Sequence, residues 1–185
     1  MKAILQSWIK EAYAVFAKEG PRGLQVEQLA RLVGKSKSSF YHHFVDVENF
    51  TQLLLDYHYE RSEWIAEQEQ QCANVIPELL EFILTIKTDL LFNRQLRIHR
   101  QQPHFSQCFE ATNKLVGEAI VGLWAKELGL THNTKLANMV LMLSLENFYL
   151  QITEETLNYP WLEGYVLQLK KMVQEFDRKD TTVIQ

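Results

Sequence analysis

Only 7 of the 185 residues are glycine and 4 are proline, which excludes hairpin-rich sandwiches and barrels, since those need a turn signal roughly every 8–12 residues. With 46% hydrophobic and 23% charged residues there is apolar material for a proper core, and an all-α fold is expected. The net charge of −4 hides a split: residues 1–45 carry +4 and the rest −8, a basic head suited to a polyanion on an acidic body.

Helical periodicity runs almost unbroken and predicts about nine helices. Residues 3–19 put Leu5, Trp8, Ile9, Ala12, Val15 and Phe16 on one stripe, and GPRG at 20–23 ends that helix. A short second helix follows at 26–33, broken by Gly34, and Ser36 can cap a third that reaches His43. Asp46 is the expected cap of a long fourth helix, with Glu48 at its positive dipole end. Pro77 fits the first turn of a fifth helix running to about Phe92, with a short sixth to about Gln101. Pro103 opens a seventh to Leu128, where Gly129 supplies a left-handed cap. Thr131 is the expected cap of an eighth helix to about Glu155, and Pro160 opens a ninth to about Phe176, leaving 177–185 as a frayed tail.

Cys72 and Cys108 stand outside any C-x-x-C pair, which fits a reducing cytoplasm rather than a disulfide framework. The first sixteen residues, broken by Gln6, Lys10 and Glu11, are no signal-peptide core. The most apolar run, MVLMLSL at 139–145, is far short of the ~20 residues of a membrane span, so no membrane partner is expected.

The stretch from Val26 to Phe44 carries the most chemistry. Two helices crossing steeply need a small residue at their approach and one tolerating positive φ in the turn, and Ala30 and Gly34 supply these. Phe40 then faces back into a small core, the sequence form of a helix-turn-helix. An ordinary αα-corner has the same economy. What favours DNA is the exposed face of the third helix: Lys37, Ser38, Ser39, Tyr41, His42 and His43 offer donors and acceptors with no acid among them.

Phe16, Gly20, Gly23, Leu29, Ala30, Gly34, Ser36, Phe40, Tyr41, His43 and Phe44 together resemble the N-terminal signature of the TetR (tetracycline-repressor-like) family of bacterial transcription regulators. The close match covers about Ile4 to Leu55, and its FYHHF ending is specific. The resemblance implies that Lys37, Ser38 and Ser39 probe base edges, while Tyr41 and His42 bind phosphate and neighbouring bases. Ser36 is either a cap alone or a cap that also contacts DNA, and His43 is expected to be half-buried. Two positions depart from the family pattern. Gln25 stands where Ser or Thr is usual before the second helix, and it can still donate to phosphate. Val47 stands where a lysine commonly anchors phosphate, and it cannot.

In the body, Leu136, Val140, Leu143, Asn147 and Leu150 step by 4, 3, 4, 3, as do Leu162, Val166, Leu169, Val173 and Phe176. Such seams pack helices at shallow angles, and Met139, Met142 and Tyr149 add a surplus apolar face that favours a twofold homodimer. The resemblance implies the same interface, made of four helices. Asn147 sets register in that seam or points into a pocket. Candidate pocket residues for a small, apolar effector are Phe82, His99, His104, Phe105, Cys108, Phe109, Trp124, Asn147 and Tyr149. Gly117 and Gly122 inside the seventh helix mark close packing or room for a ligand. His104 and Cys108, four apart, make an incomplete metal site, so neither metal nor cofactor is expected. No phosphate loop, G-x-S-x-G elbow or H-E-x-x-H is present, which argues against an enzyme.

The reading is a helix-turn-helix DNA-binding domain at 1–45 and a helical effector-binding and dimerisation domain at 46–185. It describes a regulator, expected to repress, that binds a palindromic operator on double-stranded DNA as a homodimer and is released by an effector. The rival is a helical ligand- or partner-binding protein whose DNA-binding head has degenerated, which Val47 and the net charge favour.

Overall fold

The computed structural model describes residues 3–181, and among them the fold is all-helical, without a strand. The helices are α1 (Ala3–Glu19), α2 (Val26–Val33), α3 (Lys37–His43), α4 (Val47–Glu69), α5 (Leu80–Thr85), α6 (Lys87–Ile98), α7 (Pro103–Leu128), α8 (Thr134–Gln151) and α9 (Tyr159–Thr181). A 3-10 turn, Gly20–Gly23, follows α1, and a wide π-type turn, Val75–Leu79, leads into α5. No described helix is long and apolar enough to cross a membrane.

The chain folds as two compact units, one of Met1–Trp64 with Thr88–Asn113, the other of Ile65–Lys87 with Lys114–Gln185. The first unit therefore joins α1–α3 to most of α4, to α6 and to the start of α7. Its centre is aromatic. Phe92 of α6 stacks on Tyr13 at 4.4 Å and on His58 at 4.3 Å, and Phe16 meets both Phe92 at 4.3 Å and Phe105 at 5.6 Å. Rings at such distances add roughly 0.5–1.5 kcal/mol per pair beyond the area they bury.

In the second unit α5 packs on α9, and Leu79, Leu80, Trp124, Leu141, Tyr149, Leu157, Leu162 and Val166 are buried. A Cβ on Gly117 would meet the methyl at the far end of the flexible Met142 side chain, whereas Gly122 faces open space. Trp161 stacks on Tyr165 at 5.4 Å, and Tyr165 donates to the Ser144 carbonyl at 2.6 Å, tying α9 to α8.

Most predicted boundaries hold, and four differ. The fifth helix stops at Thr85, not Phe92. The Thr85 hydroxyl donates back to Phe82 O at 2.7 Å, and Ile86 (φ −112, ψ 27) leaves the helix to be buried. Asn133, rather than Thr131, caps α8, accepting from Leu136 N at 3.0 Å. The chain after α7 closes a Schellman turn, with Gly129 N on Lys126 O and Leu130 N on Ala125 O, which uses up the residues before Thr131. The same helix ends at Gln151 because Thr153 and Thr156 cap each other's amides at 2.7 and 3.1 Å beside a buried, extended Ile152. Finally, α9 continues to Thr181. The rest of the expected frayed tail, 182–185, lies outside the described residues.

Candidate nucleic-acid interface

The turn between α2 and α3 is set by backbone chemistry. Gly34 adopts φ 68, ψ 36, a left-handed conformation open to glycine at little cost. There Gly34 N donates to Arg31 O at 3.2 Å and Lys35 N to Ala30 O at 2.8 Å, which satisfies the last carbonyls of α2. Val26, Leu29 and Ala30 are buried beneath. Ser36 then restarts the helix, its Oγ accepting from Ser39 N at 3.3 Å and lying 2.9 Å from Ser38 Oγ.

An aromatic clamp holds α3 down. Phe40, fully buried, meets Trp8 of α1 at 5.4 Å, Phe44 at 4.9 Å and Phe50 of α4 at 5.1 Å, with Phe44 and Phe50 4.6 Å apart. With Phe40 inward, helical geometry turns Lys37, Ser38, Tyr41 and His42 out, and all four are exposed. Ser39 and His43 are half-buried, His43 at the edge of a cleft of about 260 Å³ shared with Leu5, Ile9, Phe44, Leu53 and Tyr57. Gln25 is the exposed residue before α2. It makes no capping bond there and donates instead to Arg22 O at 3.2 Å.

One partner was not legible in the sequence. Lys37 forms an ion pair and hydrogen bond with Glu27 of α2, which holds the Glu27 carboxyl below its ordinary range and raises the Lys37 ammonium. Glu27 is ten residues away, across a turn whose geometry decides the meeting. Asp46 caps α4 as expected, accepting from Asn49 N at 2.7 Å. Val47, the first residue of α4, is half-buried and lines a cleft of about 550 Å³ with Pro21, Leu24, Gln52, His104 and Phe105.

The expected pocket residues do not form one set. In the first unit, His104 lines both that cleft and a neighbouring one of about 170 Å³, where Cys108 joins Gln52, Asp56 and Tyr59. Burial pushes the Cys108 thiol up to about 12, its Sγ lying 3.9 Å from Leu55 O. Phe105 and Phe109 are buried core, and His99 packs beside Gly20, its imidazole pushed down by partial burial and by Arg22. In the second unit, Trp124 and Tyr149 are core, Phe82 is half-buried, and Asn147 is exposed, donating to Tyr165 Oη at 3.4 Å. The seam residues divide too. Leu136, Leu143 and Leu150 are exposed, Val140 and Leu169 half-buried, but Leu162, Val166 and Val173 are spent on the protomer's own core. Both cysteines are free thiols, and no three His, Cys, Asp or Glu side chains among the described residues are grouped to hold a metal.

Residues 9–49 match the family model described as bacterial regulatory proteins, tetR family. None of the curated proteins matches this chain. Among solved structures, the chain is similar to a protein from Rhodococcus sp. provisionally assigned as a TetR-family transcriptional regulator, with a TM-score of 0.61 at 17% identity over 94% of this chain and 99% of that one. A likeness at that identity speaks for the fold. The matched segment spans the second half of α1, the Gly34 turn, Phe40 and Phe44 of the clamp and the first turn of α4, so residues 9–49 of this helical protein are similar to the tetR family of bacterial regulatory proteins.

Proposed function

We propose that the protein is a transcription regulator that binds a roughly palindromic DNA operator as a homodimer and is released by a small effector. One observation carries the reading: a short helix, clamped by Trp8, Phe44 and Phe50 through Phe40, presents Lys37, Ser38, Tyr41 and His42 to solvent. That is the outfit of a helix entering the major groove. Lys37, Ser38 and Ser39 would read base edges, Tyr41, His42 and Gln25 would contact phosphate and neighbouring bases, and Ser36 and His43 would hold the helix ends.

A dimer is supported by apolar surface left on the last two helices. Leu136, Met139, Leu143 and Leu150 on α8, with Met172 and Phe176 on α9, are exposed. They repeat at helical spacing, and a twofold axis through such a stripe would pair two heads for two half-sites. The effector reading rests on the adjoining clefts that Gln52 of α4 and His104 of α7 share. A ligand seated there touches the helix that follows the head, and it acts through its different affinity for the DNA-binding and released states. Binding rather than catalysis is the reading, and repression in the cytoplasm is its working form.

Two observations favour a head that has lost DNA: Val47 at the start of α4, and the Glu27 carboxylate on Lys37. Fluorescence anisotropy on the DNA upstream of the protein's own gene, across a salt series, decides. Affinity that falls steeply with salt, and weakens in both Lys37→Ala and Tyr41→Ala, supports the regulator. No binding at low salt supports the degenerate head.

A further inference from the structure

Beneath the head, in the first unit, lies a buried polar cluster that no base reading uses. Tyr13 of α1, His58 and Arg61 of α4, Asp89 and Asn93 of α6 and Thr112 of α7 are drawn together, and all but Arg61 are buried. Arg61 grips Asp89 with two bonds, Nε to Oδ1 at 3.1 Å and Nη2 to Oδ2 at 3.0 Å, and its guanidinium lies 4.5 Å over Trp64. So held, the Asp89 carboxylate can only accept, and Tyr13 donates its one proton to Oδ1 at 2.8 Å.

That bond assigns the next one. The Tyr13 oxygen must accept from His58, 2.6 Å away, so the imidazole carries its hydrogen on Nδ1. Burial pushes His58 down to about 4, which keeps the ring neutral, and its Nε2 lies 3.3 Å from the Asn93 Oδ1 position; with hydrogen on Nδ1, that carboxamide is turned end for end so that its Nδ2 donates to Nε2. Asn93 is in turn 3.1 Å from Thr112 Oγ1 and 3.3 Å from the Asn113 carboxamide. Burial and Asp89 raise the Tyr13 phenol well above its ordinary value, so it stays a donor. The path crosses from α1 through α4 to α6 and α7.

We propose that Tyr13, His58, Arg61, Asp89 and Asn93 are positioning residues that latch α1 to α6, so that the recognition helix takes its orientation from α6 directly as well as through α4. The mechanical route is short. Tyr13 lies five residues along α1 from Trp8, and Trp8 is the ring that clamps Phe40 and Phe44 of α3. A displacement of α6 at Asp89 therefore pulls on the same helix that seats the DNA-reading face. The latch deepens the regulator reading and rests on it.

The test is Tyr13→Phe in the full chain, which removes the hydroxyl and keeps the ring stacked 4.4 Å from Phe92. Binding is measured to the upstream DNA and to a random-sequence duplex of equal length, well below the melting temperature. The expected result is about tenfold weaker binding to the upstream DNA, the scale of one lost charge-assisted hydrogen bond, with random-duplex binding unchanged. Arg61→Gln, altering a partly exposed side chain, gives the same selective loss should Tyr13→Phe fold poorly. Histidine 15N spectra of the wild type should place hydrogen on Nδ1 of His58 at neutral pH, and Tyr13→Phe should shift that signal. Equal binding of wild type and both variants to the upstream DNA, or a His58 ring with hydrogen on Nε2, overturns the latch and leaves the regulator standing. A wild type that binds no DNA overturns the regulator, and the latch with it.

Discussion

At the scale of single residues, Glu27 holds the Lys37 ammonium that the proposed function gives to DNA. Both side chains are exposed, so the pair adds little to stability, but it occupies a cation on the exposed face of α3. Glu27→Gln frees Lys37 and removes one negative charge from the head. The expected outcome is roughly threefold tighter DNA binding with a slightly steeper salt dependence, read by anisotropy. His58 gives a second measurable consequence. Its folded value, near 4, is depressed from 6.5, so between those values the unfolded chain binds a proton that the folded chain refuses. Stability is intact above pH 6.5 and declines as pH falls toward 4, by about 2 kcal/mol at pH 5. Glu69, buried at the end of α4 and pushed up to about 8, acts in the opposite sense, losing stability as pH rises from 4.5 to about 8. Urea midpoints at pH 7 and pH 5 separate the two: the opposed trends offset in the wild type, and His58→Gln should gain about 2 kcal/mol more than the wild type on going from pH 7 to pH 5.

Among elements, the recognition unit is the one whose design can be read from local chemistry. Gly34, Ser36 and Asp46 each complete their bonds within five residues, so residue type and spacing reveal them. Gly34→Ala meets open space and costs only the strain of its positive φ, about 1–2 kcal/mol in a thermal or urea melt. The break between α5 and α6 shows the limit of such reading. Thr85 and Ile86 carry no breaker signal, and what stops the helix is a hydroxyl turned back on Phe82 O and the burial of Ile86. Likewise the ninth helix repeats every seventh residue as a seam does, but Leu162, Val166 and Val173 face the protomer's own core. Periodicity marks the apolar stripe and is silent on what covers it.

For the whole molecule, the exposed leucines of α8 make the prediction. Leu143 is 70% exposed, too apolar a surface to leave uncovered along a stripe that includes Leu136, Met139 and Leu150. Leu143→Glu should leave the fold intact by circular dichroism and convert the proposed dimer to monomers in light scattering. Affinity for a two-half-site operator should fall at least about a hundredfold, because each head then binds alone.

Length, composition and the placement of glycine, proline and capping residues were enough to determine an all-helical chain, the helix-turn-helix and the outward face of α3. Those features depend on hydrogen bonds between neighbours a few residues apart, whose geometry the backbone repeats in any helix. Tertiary structure alone decided that Lys37 meets Glu27, that the first unit takes in α6 and the start of α7, and that Tyr13 bonds His58 and Asp89, 45 and 76 residues away. Such pairs carry no spacing to recognise. They exist because burying Phe92 among Tyr13, Phe16 and His58 brings three helices together, and a polar atom trapped there must find its partner from whichever helix arrives.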